Sequence, residues 1–357
     1  MPVSPNKDDQ NAECEMVFGG VKLDKLLMTF VSSASVDLAV GKPGMFTLEL
    51  EGYGESQGFS WMEDGRFTLG TTVEVKMGYQ DRLSTMFFGE VIGVDGSFSS
   101  SQPPRLTVRA YDLSHRLTRG EKRRTFSRLK YSDIARTIAA DAGLTPRVTD
   151  SADVHEYVEQ TAQSDLAFLL RLAEEIRYHL FVIRKEMVFQ PISNKSKASV
   201  KMSLNDDLMD FNPNLSLARQ VSGVIVRGWD STKAVEIVGR ANAGQEVSMG
   251  GRRSASRLVR DTFDRSGKAV RLITDHPVMT RSEADKLAEA RLNEISLDFI
   301  EATGTARGRA DLLPGEIIEI SGMSKWFSGR YFLTGAIHLY DYASGYTTTF
   351  SARRNAL

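Results

Sequence analysis

The stretch that most constrains the fold of this 357-residue chain is residues 312–354. It reads L-L-P-G-E-I-I-E-I-S-G, then F-S-G-R-Y-F-L-T-G-A-I-H-L-Y, then G-Y-T-T-T-F-S-A-R-R. Pro314 and Gly315 signal a turn, and Ile318 and Ile320 bracket Glu319 in a short alternating run. A second run carries Tyr331, Leu333 and Ile337. In the third, Tyr346, Thr348, Phe350 and Ala352 alternate with Thr347, Thr349, Ser351 and Arg353. A period of two places the first set on one side of a strand and the second on the other. The stretch therefore predicts three antiparallel strands, with turns at 322–329 and 342–345.

A weak copy of this pattern lies nearer the N-terminus. Residues 70–75 (G-T-T-V-E-V) align with residues 315–320 (G-E-I-I-E-I), each placing apolar, Glu, apolar after a glycine. Residues 88–91 (F-G-E-V) parallel 327–331 (F-S-G-R-Y), and 106–110 (L-T-V-R-A) parallel 348–353 (T-T-F-S-A-R). Antiparallel sheets resemble one another, so the echo has two readings, a shared pattern or a duplicated β-unit. A duplicated unit in three chains would make a ring of approximate sixfold symmetry.

Length suggests two to three domains. A hydrophobic fraction of 41% and a charged fraction of 25% are ordinary for a globular protein. Formal charge is −1, so no global field recruits nucleic acid or an anionic membrane. Cys14 is the single cysteine, which leaves no intramolecular disulfide and no cysteine metal cluster. The first ten residues lack an apolar run, so no secretory signal is expected and synthesis in the cytoplasm follows. No apolar run is long enough to span a bilayer as a helix.

Taken in order, residues 1–14 read as a disordered polar tail. Residues 15–117 are β-rich: a Gly41-Lys42-Pro43-Gly44 turn precedes Phe46, Leu48 and Leu50, and Val73, Val75 and Met77 alternate later. They predict a first small β-barrel. Residues 118–205 form an α+β domain. Its opening connector is crowded by Arg116, Arg119, Lys122, Arg123, Arg124, Arg128 and Lys130. A nucleic-acid site is one reading; a solvated face or a patch for an acidic protein surface is preferred because the cluster is local and the chain near neutral. Two helices follow, capped by Ser132 and Ser164, then a hairpin turning at 184–186. Residues 206–240 and 305–357 are expected to form a second, split barrel. Its first hairpin would use V-S-G-V-I-V-R-G-W-D (221–230) and 235–238, around an insertion at 241–304. In the insertion, 241–256 reads as a loop, and Thr280-x-x-Glu283 as a capping box before a helix.

Four motifs in this order give the chain a family resemblance: R-A-Y-D-L-S-H-R-L at 109–117, S-D-L-A-F-L-L-R-L-A-E-E at 164–175, V-R-G-W-D at 226–230 and G-Y-T-T-T-F-S-A-R-R-N at 345–355. The chain resembles the baseplate hub proteins of contractile tails: the phage late control protein D family, the T-even phage hub and the hub portion of type VI secretion spike proteins. The resemblance implies a mostly β fold, with two similar small antiparallel β-barrels, an α+β domain between them and an insertion in the second. It implies a homotrimer with six barrels in a pseudo-hexameric ring. That ring would join a hexameric inner tube to a trimeric central spike and adjoin baseplate wedge components. Type VI spike fusions continue beyond this point, so the spike is expected to be a separate polypeptide. Incorporation into a phage tail or injection particle follows, with no nucleic-acid sequence recognition and no membrane insertion.

No enzyme signature emerges. His115, His155, His179, His276 and His338 show no metal-ligand spacing, and no nucleophile or phosphate motif is present. Asp112 and His115 could pair as a base with its orienting carboxylate, though a place in the junction after the first barrel accounts for them more simply. Glu174-Glu175 and Asp206-Asp207 read as solvated neighbours. No catalytic residue, metal or cofactor is expected. A tail-associated peptidoglycan hydrolase and a peripheral receptor- or glycan-binding protein are the alternatives. The candidates for inter-subunit or lumen-facing positions are Arg109, Glu319, Gly329, Thr347, Thr349 and Arg353.

Overall fold

The computed structural model describes residues 12–53, 61–80, 82–192, 198–204, 206–230, 233–251, 253–263, 269–341 and 344–357. The tail expected at 1–14 lies outside the described residues up to residue 11. Residues 12–14 are not tail: they open strand β1 (Ala12–Phe18), held there because Met16 and Phe18 enter the core. After it come β2 (Val21–Lys22), α1 (Lys25–Met28), β3 (Val31–Ala39), β4 (Met45–Glu51), β5 (Thr72–Tyr79), β6 (Arg82–Ser97) and β7 (Arg105–Asp112). Phe46, Leu48 and Leu50 of β4, and Val73, Val75 and Met77 of β5, point into one core and are fully buried. Gly41 turns the chain at φ +77°, as the Gly-Lys-Pro-Gly run predicts.

The middle module holds β8 (Lys122–Lys130), α2 (Tyr131–Asp141), β9 (Thr145–Val148), β10 (Val154–Gln163), α3 (Asp165–Glu175), β11 (Tyr178–Ile183) and β12 (Glu186–Pro191). The basic run is strand β8, not a connector. Its charges are answered from within the chain: Lys122 Nζ meets Asp165 Oδ2 at 2.6 Å, Lys130 meets Asp150 at 2.8 Å, and Arg124 reaches Asp165 and Gln160. Ser164 caps α3 as expected, its Oγ accepting from the Ala167 N–H at 3.2 Å. Ser132 does not cap α2. The helix starts at Tyr131 with Lys130 at the cap position, two residues earlier than expected, and Ser132 is buried with its N–H donated to Ser151 Oγ.

The C-terminal part comprises β13 (Val200–Ser203), β14 (Leu208–Leu215), β15 (Gly223–Asp230), β16 (Val235–Asn242), α4 (Ala255–Thr262), β17 (Val270–Ile273), α5 (Arg281–Leu297), β18 (Ile300–Arg307), β19 (Ile317–Ser321), β20 (Gly329–Asp341) and β21 (Gly345–Arg354). β15 and β16 pair as the expected hairpin, but not in the second β-unit. They form a separate sheet with β17, and α5 packs on it around Val224, Val226, Leu287 and Leu292. A short alternating hairpin carries no mark of the sheet it joins, so its assignment from sequence went to the wrong layer. The strand that does partner β18 is β14, so the insertion occupies the chain between those two. β13 likewise leaves the middle module and pairs with β19. The loop expected at 241–256 has structure at both ends and a buried Met249 between them.

The three strands expected at 312–354 are β19, β20 and β21, antiparallel and in sequence order. Residues 342 and 343 of the last turn lie outside the described residues. All the β-unit strands join one sheet of order β14-β18-β21-β20-β3-β4-β7-β6-β5-β1-β2, with β19 alongside β20 and β13 alongside β19. The protein is mostly β. Among the described residues, strand pairing does not close either unit into a barrel.

The register makes the internal echo a duplication of topology. β3-β4-β7-β6-β5 in the first unit corresponds to β14-β18-β21-β20-β19 in the second. β3 slips against β4 between Val31 and Ser33, and β14 against β18 between Leu208 and Asp210. β6 slips against β7 between Val91 and Gly93, and β20 against β21 between Leu333 and Gly335. At the entry turn, the Gly70 N–H donates to Val91 O, and the Gly315 N–H to Leu333 O, both at 2.8 Å. These glycines have φ +85° and +90°. Val73-Glu74-Val75 thus matches Ile318-Glu319-Ile320, and Ala110 matches Ala352, as the sequence alignment has them. The alignment of Gly89 with Gly329 is two residues out. Val91 corresponds to Leu333, so Gly89 falls on Tyr331.

A polar sheet face as the candidate functional site

Partners across a sheet share a face. Following the register, Arg307 of β18 faces Thr347 of β21, then Leu339 of β20, Ser35 of β3, Thr47 of β4 and Arg109 of β7. The adjacent row runs Thr305, Thr349, Ile337, Asp37 and Met45. One polar, accessible face therefore spans both units. Beneath it, Val36, Phe46, Leu48, Phe350 and Ala352 are buried. The bridge is the C-terminal half of β20, whose residues 335–341 pair with residues 33–39 of β3.

The bridge is pinned from its buried side. His338 is fully buried. Its Nε2–H donates to the Leu312 carbonyl at 3.1 Å, and its Nδ1 accepts from the Tyr346 hydroxyl at 2.9 Å. A carbonyl can only accept, which fixes this tautomer. Burial holds the imidazole down to about 4, so it is neutral.

All six candidate residues lie on strands of the large sheet, Arg109 on β7, Thr347, Thr349 and Arg353 on β21, Glu319 on β19 and Gly329 on β20. Arg109 is half-exposed and bonds Asp95 of β6 at 2.5 Å. Thr347 and Thr349 lie in the two rows just described. Arg353 is farther along β21, 2.9 Å from Asp298, whose carboxyl is pushed up by burial against the pull of Arg353. Glu319 sits on β19 beside Lys201 at 3.4 Å. Gly329 serves packing: a Cβ there would stand 2.6 Å from the Arg354 guanidinium carbon. Sequence reading missed Ser35, Asp37 and Thr47. Their strand alternation is visible, but nothing local says β3 meets β20.

The dyad considered at Asp112 and His115 does not form. Asp112 accepts from the Gly44 and Ser114 N–H groups, and His115 Nε2 faces Glu90 at 2.9 Å. Glu175, expected to be solvated, is buried. The Tyr131 hydroxyl bonds it, Arg171 Nη1 lies at 2.9 Å and His276 Nε2 at 3.4 Å, joining the middle module to the insertion. Among the described residues, no group of His, Cys, Asp and Glu is arranged to hold a metal ion. Among them no helix is long and apolar enough to cross a membrane.

The family model described as Alg8 N-terminal domain matches residues 13–341. The chain belongs to this family. No curated protein matches it. Solved structures with the same fold include the 43 kDa tail protein of prophage MuSo2 from Shewanella oneidensis. That protein is 15% identical, with TM-score 0.74 and coverage of 96% of this chain and 98% of that one. A tail protein from Neisseria meningitidis is 12% identical, with TM-score 0.68 and 96% coverage of both chains. A type VI secretion component from E. coli is 13% identical, with TM-score 0.59, covering 91% of this chain and 74% of that one. The Alg8 N-terminal domain in this chain thus has the fold of tail proteins and of a hub-type secretion component.

Proposed function

We propose that this chain is the structural hub of a contractile tail or injection-system baseplate. Three copies form a pseudo-sixfold ring that adapts a hexameric inner tube to a trimeric spike. The observation that carries this reading is the duplicated β-unit, with equivalent slips and entry turns, joined edge to edge inside one chain. A unit that already pairs with its own copy supplies two near-equivalent positions per protomer, and three protomers supply six. Each unit would be one small barrel-like, tube-type domain, completed by its neighbours in the ring. The polar face carrying Arg109, Thr347, Thr349 and Arg353 lines the lumen, where a passing cargo needs a wet wall. Glu319 and Gly329 lie outside that lining. Hub copies are made in the bacterial cytoplasm and incorporated into the particle beside the wedge components, with no cofactor and no catalytic role. Light scattering of the purified protein, alone and with its tube and spike proteins, tests this. A trimer is expected. A chain that stays monomeric with both partners present refutes the ring.

A further inference from the structure

Resting on the ring reading, we infer that the joint between protomers is a strand ladder. Residues 93–99 of one copy pair with residues 210–216 of the next. Inside the chain, β3 lies along the C-terminal half of β20, from Gly335 opposite Ala39 to Asp341 opposite Ser33. The equivalent of β20 is β6, and the equivalent of β3 is β14. Residues 93–97 of β6 pair with β7 on one side, and among the described residues no strand pairs their other side. β14 pairs with β18 and ends the large sheet, and among the described residues no strand pairs the outer edge of 210–215. Each protomer therefore offers one socket and one strand that fits it. Such edges are hazards when left open, and head-to-tail filling closes a ring when the rotation per step permits.

Carrying the internal register across fixes the pairs. Val94 falls opposite Leu215, Asp95 opposite Asn214, Gly96 opposite Pro213 and Ser97 opposite Asn212. This register was set by the bulges alone, yet it sorts by chemistry. Polar Asp95 and Ser97 meet polar Asn214 and Asn212 and extend the lumen face, since Asn214 and Asn212 already pair with Glu301 and Thr303. Apolar Val94, 39% exposed in the single chain, meets Leu215 on the core side. A slip of one residue would put polar groups on the core face. Pro213 lacks an N–H, so this ladder has one donor fewer than the β3–β20 ladder.

Cysteine trapping tests the pairing in the full chain, with Cys14→Ser removing the native thiol. Ser97→Cys with Asn212→Cys is the matched pair; Ser97→Cys with Asn214→Cys is shifted by two residues. All three sites are exposed in the single chain, so folding is preserved. Under oxidised glutathione the matched pair is expected to give disulfide-linked dimers and trimers at least about tenfold above the shifted pair, because directly opposed residues approach within bridging distance and diagonal ones do not. Light scattering of the unlinked protein runs in parallel. A trimer with no linkage, with equal linkage in both pairs, or with Ser97→Cys linking to a tube or spike subunit overturns the ladder and leaves the ring. Absence of any trimer, with tube and spike present, overturns both.

Discussion

The buried histidine under the bridge makes the folded protein acid-sensitive in a way that one substitution isolates. His338 is held at about 4, against an ordinary 6.5. The unfolded chain therefore binds a proton that the folded chain refuses between those values. A depressed base of this kind gives stability that is complete above the unfolded pKa and lost as pH falls through the window towards about 4. The gap corresponds to roughly 3 kcal/mol in full, and to about 2 kcal/mol on going from pH about 7 to about 5. His338→Gln removes the titration and keeps a donor for the Leu312 carbonyl. Urea unfolding of both proteins at the two pH values is the assay. The native chain should lose about 2 kcal/mol more than the variant on acidification. Differencing cancels the carboxylates and His179, which burial also holds near 4. Equal losses in the two proteins would refute the assignment of a neutral, buried His338.

Three further predictions concern packing. Gly239→Ala places a Cβ 2.1 Å from the Ala284 backbone carbon, so α5 must lift from its sheet, costing about 2 kcal/mol or more by thermal unfolding. Gly70→Ala and Gly315→Ala should each cost about 1 kcal/mol, since both glycines hold left-handed turns with open or nearly open space beside them. Markedly unequal losses would speak against the equivalence of the turns. Asp165→Asn leaves Lys122 and Arg124 without their shared carboxylate, while Arg124 keeps Asp141, and should destabilise the protein by about 1–2 kcal/mol, read as a lower urea midpoint.

The bulges explain why the duplication is faint in sequence but plain in register. A β-unit can accept many side chains provided that each keeps its inward or outward alternation. Leu48 and Gly304 are equivalent, as are Ala34 and Phe211, and each pair conserves core volume only jointly. The backbone constraints survive better. Gly70 and Gly315 keep positive φ because a Cβ is strained there. The entry turns were therefore the correctly aligned part of the echo, while the Gly89 and Gly329 alignment, anchored on glycines with different local jobs, slipped by two.

The sequence by itself determined the strands of 312–354, the inward sets of β4, β5 and β21, the Ser164 and Thr280 caps and the absence of a cysteine framework. These depend on a period of two or 3.6, or on one residue's bonding to its own turn, and such rules act within a few positions. Only the tertiary structure decided that β14 rather than β15 partners β18, that the basic strand β8 is answered by Asp165 and Asp150, and that β20 bends from β19 onto β3. Each is a choice among edges that look alike locally and differ only in what lies across them. That long-range choice places Thr347 and Arg109 in one row and, among the described residues, leaves β14 and the C-terminal part of β6 each with an edge that no strand pairs.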